Sequence, residues 1–246
     1  MANSTTEKIA LVTGGNKGIG LETARQLHSK GITVILGSRD LARGQAAARS
    51  IAGGESLRVI KLDVSSEADR KSAVAYIEKE FGRLDILVNN AGVLLDGRSG
   101  NATSTTPLSI LRETFEVNFF AVVDLTQKLL PLIRKSSAGR IVNLSSILAS
   151  LTLHATPESP IYDAKTFAYD ASKAALNSFT IHLAHELRGT KIKVNSAHPG
   201  WVKTEMGGEG AQLEIEDGAR TSVELATLPD NGPTGAYLHM GEPLPW

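Results

Sequence analysis

The chain has no cysteine, no long apolar run and no net charge. Without cysteine it cannot carry out thiol catalysis, form disulfides or bind zinc through thiolates. Its apolar runs fall short of the ~20 residues that a membrane helix needs, and the short polar N-terminus, Met1–Lys8, lacks the apolar core of a signal peptide. Basic and acidic residues number 26 each, so no global field favours nucleic acid or acidic lipid. We therefore expect a cytoplasmic protein without nucleic-acid or membrane partners.

Short apolar runs rich in β-branched residues alternate with longer stretches of helical spacing. The runs predict strands at Ile9–Val12, Ile32–Leu36, Leu57–Leu62, Ile86–Val88, Arg140–Leu144, Ile192–Val194 and Ala236–His239. The longer stretches predict helices at Gly20–Ser29, Leu41–Ile51, Glu67–Phe81, Leu111–Ile133 and Ala168–Leu187. Continuous apolar strands between helices are typical of a parallel sheet covered on both faces. We expect an α/β fold, a single Rossmann-type doubly wound domain over residues 1–246, with about seven parallel strands and two long loops at 149–166 and 204–216.

The first predicted strand runs into a glycine-rich turn, Thr13–Gly20, and a helix follows. Glycines let the backbone turn tightly and approach a pyrophosphate at the positive N-terminus of the helix. The spacing is G-x-x-x-G-x-G, which differs from the G-x-G-x-x-G dinucleotide fingerprint. Many strand-to-helix turns contain glycines for steric reasons alone. The position of this turn between the first strand and a helix favours a nucleotide site.

A second nucleotide signal lies at the tip of the second predicted strand. An enzyme that uses NAD usually has a carboxylate there, which accepts a hydrogen bond from the ribose 2′-hydroxyl. Here the tip carries Arg39, and Lys17 of the glycine turn adds a second cation, a pair that suits a 2′-phosphate. Asp40 is the competing ribose ligand, but it also precedes a helix, and we expect it to be the N-cap. The charges therefore favour NADP over NAD.

The ends of the third and fourth predicted strands offer further contacts to a nucleotide. Asp63 is placed either to accept from an adenine amino group or to act as a turn or capping residue. Asn89–Gly92 follow the fourth strand, where small residues let the backbone approach a cofactor and amides can satisfy strand ends. Considered alone, these residues leave both alternatives open.

The candidate chemical group is Tyr169, at the start of a long helix with Lys173 four residues later on the same face. A phenol with a pKa near 10 is a poor acid–base catalyst at neutral pH. An ammonium ~4 Å away favours the phenolate by about 4 kcal/mol at an effective dielectric of about 20, or roughly three pKa units. Burial acts in the opposite direction. We expect the lysine to dominate and to bring the pKa of Tyr169 towards physiological pH.

Other polar residues are expected near this pair. Ser145 and Ser146 close the fifth strand at the carboxyl edge of the sheet, where open α/β sheets bind ligands, so one hydroxyl there could hold a substrate oxygen. Asn118 lies inside a predicted apolar helix, and its burial requires a polar partner: a backbone group, a water or a catalytic relay.

Taken in order, these motifs resemble the short-chain dehydrogenase/reductase family across nearly the whole chain. The match consists of Thr13–Gly20, Asn89–Gly92, Asn118, Ser146, Tyr169-x-x-x-Lys173 and Pro199-Gly200. Similarity to the carbonyl reductase and menthone reductase branch, which is typically NADPH-dependent, comes from Gly15–Lys17, Ser38–Asp40, Asn118–Phe120 and Pro199–Thr204. The resemblance implies an NADPH-dependent oxidoreductase that reduces a ketone or aldehyde to an alcohol by reversible hydride transfer.

The resemblance also implies roles for single residues. Tyr169 would protonate the carbonyl oxygen, and Ser146, rather than Ser145, would hydrogen-bond that oxygen. Lys173 would lower the pKa of Tyr169 and hold the nicotinamide ribose, and Asn118 would position a water that relays protons to Lys173. Thr204 would contact the nicotinamide carboxamide. The implied NADP(H)-binding set is Gly14, Asn16, Lys17, Gly18, Ile19, Gly20, Arg39, Asp63, Val64, Asn90, Ala91, Gly92, Tyr169, Lys173, Pro199, Gly200, Val202 and Thr204.

One departure and one alternative accompany this resemblance. Ser146 and Tyr169 are separated by 23 positions, whereas the common family spacing is near a dozen and the carbonyl reductase branch often has a much longer insert that favours monomers. The oligomeric state, monomer or homo-oligomer, therefore stays open. The alternative function is an NADPH-binding sensor without turnover, but such proteins usually lose the tyrosine or the lysine.

Three sets of residues have simpler explanations than a functional one. We expect His182, His185 and Glu186 to lie on a surface helix rather than to bind metal, and no metal site is expected. His198 is expected to be structural. Trp201 and Trp246 either line a substrate pocket or simply pack.

Overall fold

The computed structural model describes residues 7–51, 53, 57–97 and 102–246, so most of the polar N-terminus, Met1–Lys8, lies outside the described residues. The strands are β1 (Ile9–Thr13), β2 (Thr33–Ser38), β3 (Arg58–Lys61), β4 (Ile86–Asn89), β5 (Arg140–Leu144), β6 (Lys193–Ala197), β7 (Tyr237–His239) and β8 (Glu242–Pro243). The α-helices are α1 (Gly18–Ser29), α2 (Leu41–Arg49), α3 (Glu67–Phe81), α4 (Leu108–Phe115), α5 (Ala121–Ile133), α6 (Leu151–Ala155), α7 (Phe167–Glu186) and α8 (Ile215–Ala226).

The strands form a single sheet in the order β3-β2-β1-β4-β5-β6-β7-β8. All neighbouring pairs from β3 to β7 are parallel, and only β8 runs antiparallel to β7. The order reverses between β1 and β4, since the chain moves outward from β1 to β3 and then returns to the other side. That crevice at the carboxyl ends of the strands is where doubly wound sheets bind ligands.

Alternating residues of the strands build two cores, one on each face of the sheet. Ile9 and Leu11 of β1 pack with α3, α5 and α7, whereas Ala10 and Val12 pack with α1 and α8. The period of two along a strand explains why both faces of β1 are apolar. The expected doubly wound α/β sheet with helices on both faces is confirmed.

The structure differs from the sequence prediction in several segments. The helix expected at Leu111–Ile133 is three elements, α4, a π-helical segment at Glu116–Phe120, and α5. The loop expected at 149–166 contains α6, and α8 begins where the loop expected at 204–216 ends. Helix α8 escaped prediction because Gly218 interrupts its pattern; that glycine lies against Val202, whose Cγ2 would be 2.6 Å from an added Cβ.

Candidate active site

The glycine-rich turn brings two stretches of backbone together at the start of α1. Gly14 and Gly18 have φ angles of 63° and 53°, the left-handed region that glycine adopts without strain. A Cβ on Gly20 would lie 2.3 Å from Asn90 Nδ2 and 2.5 Å from the Gly14 carbonyl oxygen. Asn90 donates through Nδ2 to the carbonyl oxygens of Thr13, at 2.8 Å, and Gly14, at 3.2 Å. Asn90 therefore holds the shape of the turn from the neighbouring strand.

The N-terminus of α1 carries no side-chain cap. Its N-cap residue, Lys17, makes no capping hydrogen bond, whereas α2 is capped by Asp40 and α3 by Ser66. The amides of residues 18–20 have no intrahelical acceptor, because the first turn of a helix leaves its N–H groups unpaired. These amides, added to the helix dipole, are the donor set that a pyrophosphate requires, so this end of the site fits a dinucleotide.

Two cations flank this nucleotide end. Arg39 is exposed at the tip of β2. Lys17 is exposed and forms an ion pair with Glu205 of the loop that precedes α8. Asp40 accepts from the amide of Arg43 at 3.0 Å, so its expected role as the N-cap of α2 is confirmed. Arg39 thus stays at the strand tip while the neighbouring carboxylate is engaged by the helix.

The side chain of Asp63 closes a turn. Its Oδ1 accepts from the amide of Ser65 at 3.0 Å and from the Ser65 hydroxyl at 2.7 Å. Val64 is buried, and its carbonyl oxygen accepts from Arg70. Of the two roles that the sequence left open for Asp63, the turn role is observed and the contact to adenine stays a prediction.

Four predicted site residues that lie far apart in the sequence meet at the carboxyl edge of β5. Ser146 follows β5, Tyr169 and Lys173 lie one turn apart on α7, and Asn118 lies in the π-helical segment. The Ser146 hydroxyl faces the Tyr169 phenol and acts to lower its pKa. The Lys173 ammonium lies 5.8 Å from the centre of the Tyr169 ring and donates to the Leu144 carbonyl oxygen at 2.7 Å. All four side chains are buried.

The two serines at the end of β5 face different partners. Ser145 donates its hydroxyl to Asn177 Oδ1 at 2.7 Å and is therefore engaged by α7. Ser146 accepts from the amide of Leu148 at 3.2 Å and faces Tyr169. This geometry favours Ser146 over Ser145 as the residue that would contact a substrate oxygen.

The titration of the tyrosine–lysine pair differs from the expectation. Burial raises the pKa of Tyr169 to about 12, with the charge of Asp170 adding to the rise and the hydrogen bond from Ser146 opposing it. Burial lowers the pKa of Lys173 to about 8. The prediction that Lys173 would dominate and lower the pKa of Tyr169 is therefore wrong. The ammonium lies over the ring and is engaged by the Leu144 carbonyl, so desolvation of the phenolate outweighs its attraction.

Asn118 satisfies its side chain with backbone and a hydroxyl. Its Oδ1 accepts from the amide of Val93 at 2.8 Å, and its Nδ2 donates to the Val93 carbonyl at 2.9 Å and to Ser172 Oγ at 3.0 Å. A Cβ on Gly92 would lie 3.3 Å from Asn118 Oδ1 and 3.5 Å from the Lys173 ammonium. Asn118 thus joins the segment after β4 to α7, and π-helical segments are frequent at such functional positions.

The turn after β6 folds back on the glycine-rich turn. Gly200 has a φ of 85°, and a Cβ there would lie 2.2 Å from Leu213 Cδ1. Val202 is buried and forms an isolated bridge with Leu213. The methyl group of Thr204 is 3.5 Å from the position of a Cβ on Gly18. The structure therefore brings the predicted residues after β6 next to those before α1.

A cleft of about 440 Å³ opens beside this turn, lined by Leu94, Glu205, Met206 and Gly208. Trp201 is half exposed and donates its indole N–H to the Gly207 carbonyl at 2.8 Å. The indole of Trp201 thus anchors the segment that forms one wall of the cleft.

Two residues outside the predicted set hold Ser146 in place. The buried phenol of Tyr237 donates to the Ser146 carbonyl oxygen, and its ring stacks on Trp246 at 5.3 Å. His198 Nδ1 accepts from the amide of Ile147 at 3.1 Å, and burial lowers the pKa of His198 to about 3, so the ring stays neutral. The structure agrees with a structural role for His198. Tyr237 lies 91 positions from Ser146, and no local pattern marks it.

The remaining expectations concern metal and membrane. His182, His185 and Glu186 are exposed on α7, and no group of three or more metal-ligating side chains occurs among the described residues. Within the described part of the chain, no helix has both the length and the apolar character needed to cross a bilayer.

Comparison with known families identifies one match that covers most of the chain. Residues 8–214 match the family model for short chain dehydrogenase. Among curated relatives, carbonyl reductase [NADPH] 1 of Homo sapiens is 36% identical, with 94% of this chain and 95% of the relative covered. A (+)-neomenthol dehydrogenase of Capsicum annuum is 31% identical over 98% of this chain and 99% of the relative.

Solved structures show the same similarity. The NADPH-bound carbonyl reductase from chicken fatty liver has a TM-score of 0.84 at 26% identity, covering 98% of this chain and 99% of that one. Salutaridine reductase from Papaver somniferum has a TM-score of 0.80 at 31% identity, covering 94% of this chain and 99% of that one. Sequence and structure relatives thus agree along nearly the whole length.

Proposed function

The chain belongs to the short-chain dehydrogenase family and is a carbonyl reductase-like oxidoreductase, and from that premise we propose that it reduces a ketone or aldehyde with NADPH, using Tyr169 as the general acid. The observation that carries the proposal is the convergence of Ser146, Tyr169 and Lys173 at the carboxyl edge of β5, with the Lys173 ammonium 5.8 Å from the centre of the Tyr169 ring. Two hydroxyls that converge at the carboxyl edge of the sheet can hydrogen-bond one carbonyl oxygen together.

The chemistry divides between the carbon and the oxygen of the substrate carbonyl. When bound, NADPH supplies the hydride that the carbonyl carbon accepts. Tyr169 donates its proton to the carbonyl oxygen, and Ser146 hydrogen-bonds that oxygen as negative charge develops on it. Because the pKa of Tyr169 is raised, the phenol stays protonated at neutral pH and carries the proton that it would donate.

Lys173 and Asn118 would return the proton to Tyr169. Burial brings the pKa of Lys173 to about 8, so its ammonium exchanges protons near neutral pH. Asn118 and Lys173 both lie against Gly92, which leaves no side chain between them. A water at that position would connect the lysine to solvent, and Asn118 would orient it. Lys173 would also hold the nicotinamide ribose.

The residues at the nucleotide end fit NADPH. The uncapped N-terminus of α1 would bind the pyrophosphate through the amides of residues 18–20. Arg39 and Lys17 would bind the 2′-phosphate, and Lys17 would leave Glu205 to do so. The NADPH named in the relatives' descriptions supports this choice of cofactor.

The substrate-binding region would lie in the cleft beside Met206, which the predicted loop at 204–216 lines. Apolar walls at Leu94 and Met206 favour a carbonyl compound with an apolar body. With NADPH as the donor, we expect the reaction to run towards the alcohol.

The test is a turnover assay with a matched pair of tyrosine variants. Purified protein is mixed with NADPH and a panel of aldehydes, ketones and quinones, and consumption of NADPH is followed by its absorbance. Tyr169→Phe should lower kcat about 10²- to 10⁴-fold, because it removes the acid while keeping the ring. Tyr76→Phe, on the remote helix α3, should leave kcat unchanged. Tight NADPH binding without turnover by the native protein would instead favour a sensor, and failure to bind either NADPH or NADH would refute the proposal.

A further inference from the structure

Two buried carboxylates bracket Tyr169 at the start of α7. Asp96, in the segment after β4, accepts from the amide of Ala168 through Oδ2 at 2.7 Å. Asp170 accepts from the Thr166 amide through Oδ2 at 2.9 Å and from the Thr166 hydroxyl through Oδ1 at 2.7 Å. The residues immediately before and after Tyr169 are therefore both fixed by carboxylate hydrogen bonds.

The two carboxylates reach this turn from different parts of the chain. Asp170 lies within α7 and closes the turn locally, in the manner of a capping box. Asp96 lies 72 positions before Ala168 and ties another segment of the active site to the helix. Its contact sets the position of α7 relative to the end of β4, where Gly92 and Asn118 meet. Loss of Asp96 would therefore loosen Tyr169 with respect to the rest of the site.

The hydrogen bond from the Ala168 amide does not require the negative charge of Asp96. It is 5% exposed, and its Oδ1 is buried with no hydrogen-bond partner among the described residues. A neutral Asn or Ser would cap the Ala168 amide without leaving a buried anionic oxygen unpaired. An uncompensated carboxylate of this kind is costly, so its presence beside a proton-donating phenol points to a function for the charge.

Several titratable groups surround the phenol of Tyr169. From α7 itself come Lys173 and Asp170, from the segment after β4 comes Asp96, from α6 comes His154, and from β7 comes the phenol of Tyr237. His154 Nε2 lies 3.4 Å from Asp170 Oδ2, and its Nδ1 lies 3.1 Å from the Lys165 ammonium. Lys165 thus lies on the Asp170 side of the site, and among the described residues no ion pair engages Asp96.

On the basis of the proposed function, we propose that Asp96 is a positioning residue, which fixes Tyr169 through the Ala168 amide and, with Asp170, uses negative charge to keep the phenol protonated for proton donation. Asp170 already raises the pKa of Tyr169, in the same direction as burial. The reductase can then donate a proton to the carbonyl oxygen up to a higher pH than a tyrosine without these neighbours could.

Two substitutions of Asp96 separate the hydrogen bond from the charge. Asp96→Asn keeps an oxygen that accepts from Ala168 but removes the charge, and Asp96→Ala removes both. For Asp96→Ala we expect kcat to fall about tenfold with KM nearly unchanged, because the acid is misplaced and the substrate is not. Asp96→Asn should restore kcat near pH 7. Unchanged kcat in Asp96→Ala, or no rescue by Asn, would overturn the positioning role.

The charge is tested by titrating Tyr169 directly. Phenolate absorbance is followed against pH in native protein and in Asp96→Asn, and the same curves from Tyr169→Phe backgrounds are subtracted so that only Tyr169 contributes. Asp96→Asn should shift the titration of Tyr169 about one unit towards lower pH, whereas Glu80→Gln, an exposed carboxylate on α3, should not. Superimposable titrations would overturn the charge role. This readout needs no turnover, so it also separates failure of this inference from failure of the proposed reductase activity.

Discussion

Helices α1 and α7 both begin at the carboxyl edge of the sheet, but their N-termini differ in what occupies them. The first turn of α1 has no side-chain cap, and two exposed cations, Lys17 and Arg39, lie near it, with Lys17 paired to Glu205. The first turn of α7 receives two buried carboxylates, Asp96 and Asp170. One helix end thus presents unpaired N–H groups, and the other has two of its amides, those of Thr166 and Ala168, paired with carboxylates of the protein.

This difference indicates different functions for the N-termini of α1 and α7. An open helix N-terminus attracts an anion, because its amides and dipole lack a partner. A helix N-terminus whose amides are already paired does not attract an anion. It instead holds the side chain in its first turn in a fixed position. We infer that α1 binds the cofactor and α7 holds the acid.

The largest effect is expected from closing the open end of α1. In Gly20→Ala the added Cβ would lie 2.5 Å from the Gly14 carbonyl oxygen, so the glycine-rich turn must shift. NADPH affinity, measured by calorimetric titration, should fall about 100-fold, or ~2.7 kcal/mol. The control is Gly82→Ala, at a φ of 70° with open space around it. It should cost ~1 kcal/mol of stability without affecting NADPH. Equal NADPH affinity in Gly20→Ala and native protein would argue against α1 as the pyrophosphate site.

A smaller and more selective effect is expected from Arg39→Ala. If Arg39 binds the 2′-phosphate, NADPH affinity should fall about 10- to 100-fold while NADH affinity stays the same. Arg49→Ala, an exposed arginine in the last turn of α2, should change neither. An equal loss of affinity for NADPH and NADH would show that Arg39 does not bind the 2′-phosphate.

The filled end of α7 predicts an unusual pH profile. Reduction requires Tyr169 protonated, and with its pKa raised to about 12 this condition holds far above neutral pH. Lys173, with its pKa lowered to about 8, loses its charge first as the pH rises. We therefore expect kcat/KM for reduction to be constant below about pH 8 and to decline above it.

The assignment of that decline is tested with Lys173→Arg, because arginine stays charged throughout. Activity should fall at least about tenfold, because arginine differs in shape and cannot release the proton that Lys173 would return to Tyr169, but the decline near pH 8 should disappear. A decline that persists in the variant would have to come from another group.

The smallest effect concerns the cap of α2 beside the nucleotide end. Asp40→Ala removes the hydrogen bond to the Arg43 amide and should lower the free energy of unfolding by ~1 kcal/mol, as Ser66→Ala should for α3. Thermal unfolding measures both. Because Asp40 is engaged by the helix, the ratio of NADPH to NADH affinity should not change. A change in that ratio in Asp40→Ala, but not in Ser66→Ala, would indicate that Asp40 binds the ribose.

Most of the fold, and the four side chains that meet at the carboxyl edge of β5, could be predicted from the sequence because both rest on local patterns. Strand β1, the glycine-rich turn and α1 follow one another in the chain, and Tyr169 and Lys173 share one helix face. Their meeting with Ser146 and Asn118 follows from the rule that parallel strands end at the same edge.

What could not be predicted depends on contacts between distant segments. Asp96 contacts Ala168 over 72 positions and Tyr237 contacts Ser146 over 91, and neither lies in a recognisable pattern. The direction of the pKa shift of Tyr169 could not be predicted from the sequence for a related reason. The spacing of Tyr169 and Lys173 indicates how near the charge lies, but not how completely the surrounding chain removes water from the phenol.

The central claim is that this chain transfers a hydride to a carbonyl carbon. The most direct measurement uses NADPH deuterated at the transferable position of the nicotinamide, with mass spectrometry of the products formed from the carbonyl panel. We predict an alcohol that carries one deuterium on the former carbonyl carbon, formed by the native protein and at least about 100-fold more slowly by Tyr169→Phe. Tight binding of NADPH with no labelled alcohol from any member of the panel would contradict the claim and favour a sensor.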